Sequence, residues 1–347
     1  MKKIVTFGEI LLRLTPPGYL KFSQGTTLCA TFGGSETNVA VSLSHFGLES
    51  EFVTKLPQNY VADTAIANLR SHNVGVGNIA RGGERIGLYY YENTASVRAA
   101  QIVYDRADSS YSTSSNADYD WEHIFTNAGW FHWSGIGPSL SASAADVTLK
   151  AIEKANEMGL TVSADLNYRK HLWRYGKKAE EVMPVLAEKC DVLFGTEGEY
   201  QKTFGVEPVP FTITDVKADF DVEKHKEFCK EVMKRAPKCK KMFVALRNVI
   251  DAKHHIFVGL LYTQEGEFYV SRTYLISPVV DCVGCGDAFA AGMIYGVCEY
   301  GADNQKALDF ATAAAIIKNS YEGDFNLASS SEVKALMAGN DNGAVAR

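Results

Sequence analysis

The chain has 347 residues and a mass of 38.0 kDa, and its 35 lysines and arginines against 41 aspartates and glutamates give a net charge of −6. At roughly 100–200 residues per domain, that length allows two domains or one large α/β unit whose core needs no disulfide or metal staples. With 46% hydrophobic and 22% charged residues the chain is not of the disordered class, and a pI near 5.8 gives no general attraction for nucleic acid or an anionic membrane, so an anionic ligand has to be caught locally.

From the N-terminus, the alternation of Ile4–Ile10 predicts a strand. Glu9 and Arg13 interrupt what would be the apolar core of a signal peptide, which predicts a cytoplasmic protein. Arg13–Phe32, with Pro16-Pro17-Gly18 as a turn, predicts a β-hairpin. Arg85–Arg106 predicts another, because Ile86-Gly-Leu-Tyr-Tyr-Tyr and Ala100-Gln-Ile-Val-Tyr flank a polar connection. Hairpins with no helix between their strands do not belong to a parallel core. They are expected in a small separate sheet, either a lid or a contact between subunits.

From Trp130 the pattern changes to short apolar runs alternating with helical stretches. Trp130–Trp133, Thr161–Leu166, Asp191–Phe194 and Met242–Leu246 read as strands, with helices over Ser141–Met158 and Val222–Arg235. This predicts a mainly parallel sheet covered by helices, with ligands at the C-terminal ends of its strands. Further helices are expected from Asp287 to Tyr300 and from Asn304 to Asn319, followed by a frayed tail over 339–347. The longest apolar run, Ala288–Cys298, is well short of the ~18 residues of a membrane span.

The segment Asp281-Cys-Val-Gly-Cys-Gly-Asp287 follows an apolar run and opens a helix. Gly284 and Gly286 let the backbone bend and present consecutive N–H groups at the positive end of the helix dipole, a cradle for phosphate charge. Asp287, in the first helical turn, is either a structural cap or a base aimed into that cradle; a base beside a phosphate cradle suggests phosphoryl transfer to a hydroxyl. No G-x-x-x-x-G-K-[ST] or protein-kinase signature is present, and neither Gly75-Val-Gly77 nor Gly135-Ile-Gly137 completes a dinucleotide fingerprint. Cys282-Val-Gly-Cys285 has the spacing of a redox motif, but the chain is far longer than a thioredoxin-like unit. Seven cysteines, an odd and scattered set, suit a reducing compartment. No second Cys pair completes a zinc site, and His132, between Phe131 and Trp133, reads as a core or pocket-wall residue.

The segment resembles the second signature of the ribokinase-like (PfkB-type) carbohydrate kinases, with cysteines at two places where small residues are usual. Gly33-Gly34-Ser-Glu-Thr-Asn38-Val-Ala40, leading into a helical stretch that ends at Phe46-Gly47, resembles their first signature. The resemblance covers nearly all of residues 1–330. It implies a three-layer α/β core with a mainly parallel sheet over 1–338, carrying β-lid strands at about 13–33 and 84–108. Within the family the chain most resembles the 2-keto-3-deoxygluconate kinases, through Gly87-Leu-Tyr89, Tyr104-Asp-Arg106, Asp165-Leu-Asn-Tyr-Arg169 with Trp173, and Gly323-Asp324.

That resemblance implies ATP-dependent phosphorylation of a sugar acid at its C6 hydroxyl, with Mg²⁺, Asp287 as base, and Gly284, Cys285 and Gly286 forming the anion cradle. Gly34, Asn38, Tyr89, Tyr104, Ile136 and Asp324 would contact the sugar, and Arg106 and Arg169 would clamp its carboxylate. The plainer alternative makes Arg106 a solvated hairpin residue and Arg169 a local cap. The family's Asn-x-x-Glu motif appears as Thr196-Glu-Gly-Glu199, so Thr196 is expected near the nucleotide and Glu199 near magnesium, through water. A glycine-containing loop expected after Met242–Leu246 reads Ala245-Leu-Arg247-Asn248, which makes Arg247 a candidate phosphate contact. The expected partners are a sugar acid and ATP, with neither nucleic acid nor membrane, and the lid could join two copies of the chain. The competing readings are a fructokinase or ribokinase acting on a neutral sugar, a redox protein, and a non-catalytic sugar binder.

Overall fold

Strands buried on both faces run parallel through the middle of the computed structural model, which describes residues 2–93 and 95–340. In spatial order they are Ser50–Val53, Lys3–Phe7, Ala128–Ser134, Thr161–Asp165, Val192–Gly195 and Lys241–Asp251. The antiparallel strands His254–Thr263, Phe268–Val270 and Tyr274–Ile276 complete a nine-stranded sheet among the described residues. One face is covered by the helices Ala142–Glu157, Ala179–Ala187 and Val222–Met233, the other by Ser35–His45, Cys285–Tyr300 and Asn304–Lys318, each face with its own apolar cluster. This is the three-layer α/β architecture expected from the sequence.

Local chemistry sets the element ends. Ser141 Oγ accepts the Ala144 N–H at 3.0 Å and starts the Ala142–Glu157 helix, while Gly159, at φ +75°, lets the chain leave it. The first expected strand needs correction. It ends at Phe7 rather than Ile10, and Val5, Thr6 and Phe7 are all buried, so the apparent alternation is that of a fully covered central strand. The chain breaks at Gly8, where a Cβ would lie 1.9 Å from Glu36 Oε2.

The strand expected over Met242–Leu246 also runs further, to Asp251, in a long antiparallel ladder with His254–Thr263 that pairs Arg247 with Phe257. Arg247 therefore sits on a strand and not in a loop. The ladder's cross-strand hydrogen bonds satisfy the backbone that a glycine loop would have left open.

Both expected hairpins form. Leu11–Thr15 pairs antiparallel with Cys29–Gly33, and Gly87–Glu92 with Gln101–Asp105. Parallel pairing of Leu11–Thr15 with Gly87–Glu92 joins them into one four-stranded sheet set apart from the main one. Along Gly87–Glu92 buried and half-buried residues alternate, with Tyr89 and Tyr91 on the inner face. No helix among the described residues is long and apolar enough to cross a membrane. The tail expected over 339–347 lies outside the described residues from 341 onward.

Candidate active site

The inner face of the small sheet meets the C-terminal ends of the parallel strands around a cavity of about 970 Å³. At its floor the chain turns into the helix Cys285–Tyr300 through Gly284, at φ +83°. A Cβ on Gly284 would lie 2.0 Å from the main-chain oxygen of Asp324, so both the conformation and the close approach require glycine. Gly286 has no atom within 4 Å of where its Cβ would be and faces the open cavity. Asp281 shapes the turn by accepting the Val283 N–H at 3.0 Å on Oδ1 and the Gly323 N–H at 3.2 Å on Oδ2.

Asp287 is the third residue of this helix and lines the cavity. Its carboxylate is held from the first turn of the helix Ser35–His45: Ser35 Oγ donates to Oδ1 and Asn38 Nδ2 to Oδ2, each at 2.7 Å. Burial pushes the Asp287 carboxyl above the usual carboxylate range, and the hydrogen bonds from Asn38 and Ser35 pull it part of the way back. Asn167 Nδ2 braces Ser35 Oγ at 3.1 Å and Asp165 Oδ2 at 2.9 Å. Burial, with Glu199 and Asp287 nearby, holds the Asp165 carboxyl well above its ordinary value. Asp287 is thus not the cap of its own helix. Gly284 holds that position, and the carboxylate is a fixed group with elevated basicity facing the cavity.

Asp324 also lines the cavity, but its partners are protein groups. Tyr89 Oη donates to it at 2.6 Å and Arg13 Nη1 at 2.8 Å, while Arg13 Nη2 reaches Asp281 Oδ2 at 2.8 Å. The Arg13 guanidinium lies 4.4 Å from the centre of the Tyr91 ring. Burial opposes the Arg13 charge, yet the fields of Tyr89, Asp324 and Asp281 win and raise its pKa. Tyr89 is therefore an inward-facing donor to Asp324, with the Tyr104 ring 6.2 Å away.

The two arginines differ. Arg106 is buried, with Nε donating to Glu9 Oε2 at 2.7 Å, so it is not a solvated hairpin residue. Arg169 is partly exposed, 3.5 Å from Glu199 Oε1, with Nη1 also donating to the Tyr168 carbonyl at 3.2 Å. Both line the cavity, as do Gly34, Ile136 and Tyr104. Gly34 is dictated by close approach, since its Cβ would fall 2.1 Å from the Glu9 carbonyl oxygen. The Ile136 N–H is spent on Ser134 Oγ at 3.3 Å.

At the far end, Glu199 Oε2 accepts Thr196 N–H at 2.7 Å and Thr196 Oγ1 at 3.0 Å, a capping box that starts the helix Glu197–Phe204. Arg247 Nη1 points at Cys285 Sγ, 3.6 Å away. All seven cysteines are free, and burial raises the Cys282 thiol above its ordinary value, which is unfavourable for an attacking thiolate. His132, bonded to Ser163 Oγ at 2.9 Å and pulled down to about 3 by burial, is a neutral core residue. Among the described residues no three His, Cys, Asp or Glu side chains converge on a metal position.

Sequence reasoning missed Arg13, Ser35, Glu9 and Asn167. Ser35 lies inside the first glycine-rich segment and could have been flagged there. Arg13 carried a weaker signal, a charge at an inward position of an alternating strand. Nothing in the local sequence connects Glu9 to Arg106.

A family model described as pfkB family carbohydrate kinase matches residues 1–329. The chain is similar to a 2-dehydro-3-deoxygalactonokinase of Haloferax volcanii, 29% identical over 344 residues and 98% of each chain. It is also similar to a 2-dehydro-3-deoxygluconokinase of Bacillus subtilis, 25% identical over 93% of this chain and 91% of that one. Among solved structures it is similar to a 2-dehydro-3-deoxygluconokinase of Thermotoga maritima, with 39% identity and a TM-score of 0.89 over 97% of this chain and 100% of that one.

Proposed function

Because the chain belongs to the pfkB family of carbohydrate kinases, we propose that it transfers the γ-phosphoryl group of ATP to the C6 hydroxyl of 2-keto-3-deoxygluconate, also called 2-dehydro-3-deoxygluconate. One observation carries this reading: a single cavity holds the buried carboxylate of Asp287 beside a glycine-lined helix N-terminus and also holds both Arg106 and Arg169. A sugar acid offers a hydroxyl for the first and a carboxylate for the second.

Asp287 accepts the proton of the C6 hydroxyl as its oxygen forms a bond to the γ-phosphorus and the bond to the β,γ-bridging oxygen of ATP breaks. Ser35 and Asn38 hold both carboxylate oxygens in place, so that little reorganisation is needed. N–H groups of the Gly284–Asp287 turn meet the charge on the transferring group. Tyr89 and Asp324, held from behind by Arg13, form a fixed wall against which the sugar hydroxyls lie, and Tyr104 and Ile136 pack beside them. Arg106, anchored by Glu9 through Nε, offers its Nη edge to the carboxylate, and Arg169 approaches from the strand end.

With no cluster of ligating side chains among the described residues, a magnesium ion would be held largely through water, with Glu199, which lines the cavity, the carboxylate that would meet that water. Such an ion supplies charge neutralisation at the β- and γ-phosphates. Thr196 and Arg247 are assigned to the nucleotide end, Arg247 as a phosphate contact.

A second reading is a neutral-sugar kinase, favoured by the Glu9–Arg106 pair at 2.7 Å, which already neutralises one arginine. A coupled ADP-release assay with 2-keto-3-deoxygluconate, its galactonate epimer, fructose and ribose separates the two. Preferential turnover of the sugar acids supports the first reading, and preference for fructose or ribose overturns it. Asp287→Asn should lower kcat at least ~100-fold while leaving sugar binding nearly intact, and near-normal turnover would sink the base assignment.

The face of the lid sheet opposite Tyr89 and Tyr91 carries Leu14, Ala30 and Tyr90, each half-buried or exposed. We assign this face to contact with a second copy of the chain. Analytical ultracentrifugation should find a dimer that Tyr90→Asp weakens; a monomeric wild type overturns the assignment.

A further inference from the structure

Lys318, the last residue of the helix Asn304–Lys318, has no exposed surface at all. Its Nζ donates to the main-chain oxygens of Asp281, at 3.3 Å, and Tyr321, at 3.4 Å, and lies 5.3 Å from the centre of the Tyr321 ring. Its direct hydrogen-bond partners are thus carbonyls; burial lowers its pKa from the ordinary lysine value, and Asp281, Cys285 and Asp324 nearby oppose that shift. Its Cε lies 3.4 Å from where Gly284 would carry a Cβ. The ammonium therefore sits directly behind the Asp281–Gly284 turn, whose front lines the cavity, and Lys318 does not line that cavity itself.

Burying an ammonium costs several kcal/mol, and an apolar side chain of similar volume is often neutral or better for stability. Packing alone therefore gives no reason for lysine here. Two features of the turn do. A trans peptide points its C=O and N–H in opposite directions, so the grip on the Asp281 carbonyl also sets the direction of the Cys282 N–H, where the turn begins. In a dry interior, a fixed positive charge one peptide layer behind an anion cradle also strengthens the attraction for charge developing in front of it. The negative end of the Asn304–Lys318 helix helps hold the ammonium there.

We propose that Lys318 is a positioning residue for phosphoryl transfer, a built-in cation that orients the Asp281–Gly284 turn and backs the anion cradle from behind. This rests on the phosphoryl-transfer reading above.

The test uses the full chain as wild type, Lys318→Gln, which keeps hydrogen-bond donors without the charge, and Lys318→Ala, which leaves a hole. In the coupled assay, on whichever sugar the wild type turns over best, Lys318→Gln should lose about 10–100-fold in kcat. Its affinity for that sugar, measured by calorimetry without nucleotide, should stay within twofold. Ammonium chloride should restore part of the Lys318→Ala turnover, while tetramethylammonium chloride at equal ionic strength should not and the wild type should respond to neither. Lys318→Gln with kcat within threefold of wild type overturns the proposal, as does a kcat loss matched by equal losses of sugar affinity and thermal stability. If Lys318→Gln fails to fold, the Lys318→Ala arm decides: no rescue, or equal rescue by both salts, overturns the proposal. A wild type inactive on every sugar overturns the kinase reading itself, a result distinct from an active wild type with an equally active Lys318→Gln.

Discussion

Arg13 Nη2 lies 2.8 Å from Asp281 Oδ2, tying a strand of the lid sheet to the turn that opens the Cys285–Tyr300 helix. The same guanidinium reaches Asp324 Oδ1 at 2.8 Å through Nη1, and all three side chains are almost fully buried. Asp324 in the cavity wall and the Asp281–Gly284 turn at the cavity floor are therefore held by one cation. Arg13→Met should destabilise the chain by on the order of 3–5 kcal/mol, because two buried carboxylates lose their partner. Urea unfolding measures this, and a loss below about 1 kcal/mol would show that the two carboxylates find other partners.

In the proposed reaction Asp287 accepts a proton only when it is itself deprotonated, and burial raises its pKa. Activity should therefore fall, as pH is lowered, through a limb above the usual carboxylate range. Hydrogen bonds from Ser35 and Asn38 oppose that rise, so Ser35→Ala should move the acid limb of kcat to still higher pH and reduce kcat most strongly in acid. An acid limb that stays put or moves down in Ser35→Ala, measured over a full pH series, would falsify the assignment of that limb to Asp287.

Removal of either cavity arginine should cost on the order of 2–4 kcal/mol in kcat/KM on the sugar acid and much less on fructose or ribose. Arg169→Ala is the cleaner variant, because Arg106→Ala also leaves the Glu9 carboxylate buried and unpaired. Comparison of the three substrates decides: equal losses on all of them would mean that the arginines organise the site without reading a carboxylate.

Cys282 and Cys285 should be dispensable. Cys285 Sγ meets Arg247 at 3.6 Å, a weak contact, and burial raises the Cys282 thiol. The double variant Cys282→Thr with Cys285→Ala should turn over within a few-fold of wild type, with no response to dithiothreitol. Loss of turnover in a folded double variant would bring back a thiol-based reading of the segment.

What the amino-acid sequence determined by itself was everything set by neighbours along the chain. Gly284 before an apolar helix announces a tight turn at a helix N-terminus, alternation with no intervening helix announces the hairpins, and Ser141 and Gly159 bracket a helix, because φ, capping and side-chain period are local properties. The candidate residues of the two glycine-rich segments and the lid all came to one cavity. What only the tertiary structure decided was which polar group each of them meets. Ser35 and Asp287 are 252 positions apart, Arg13 and Asp281 are 268 apart, and Glu9 and Arg106 are 97 apart. A buried charge must be partnered wherever the fold brings a partner near, and no local pattern encodes that distance. The same holds for Arg247, whose place on a strand follows from the antiparallel ladder with His254–Thr263, and for Lys318, whose burial is fixed by the packing of the helices Asn304–Lys318 and Cys285–Tyr300 against each other.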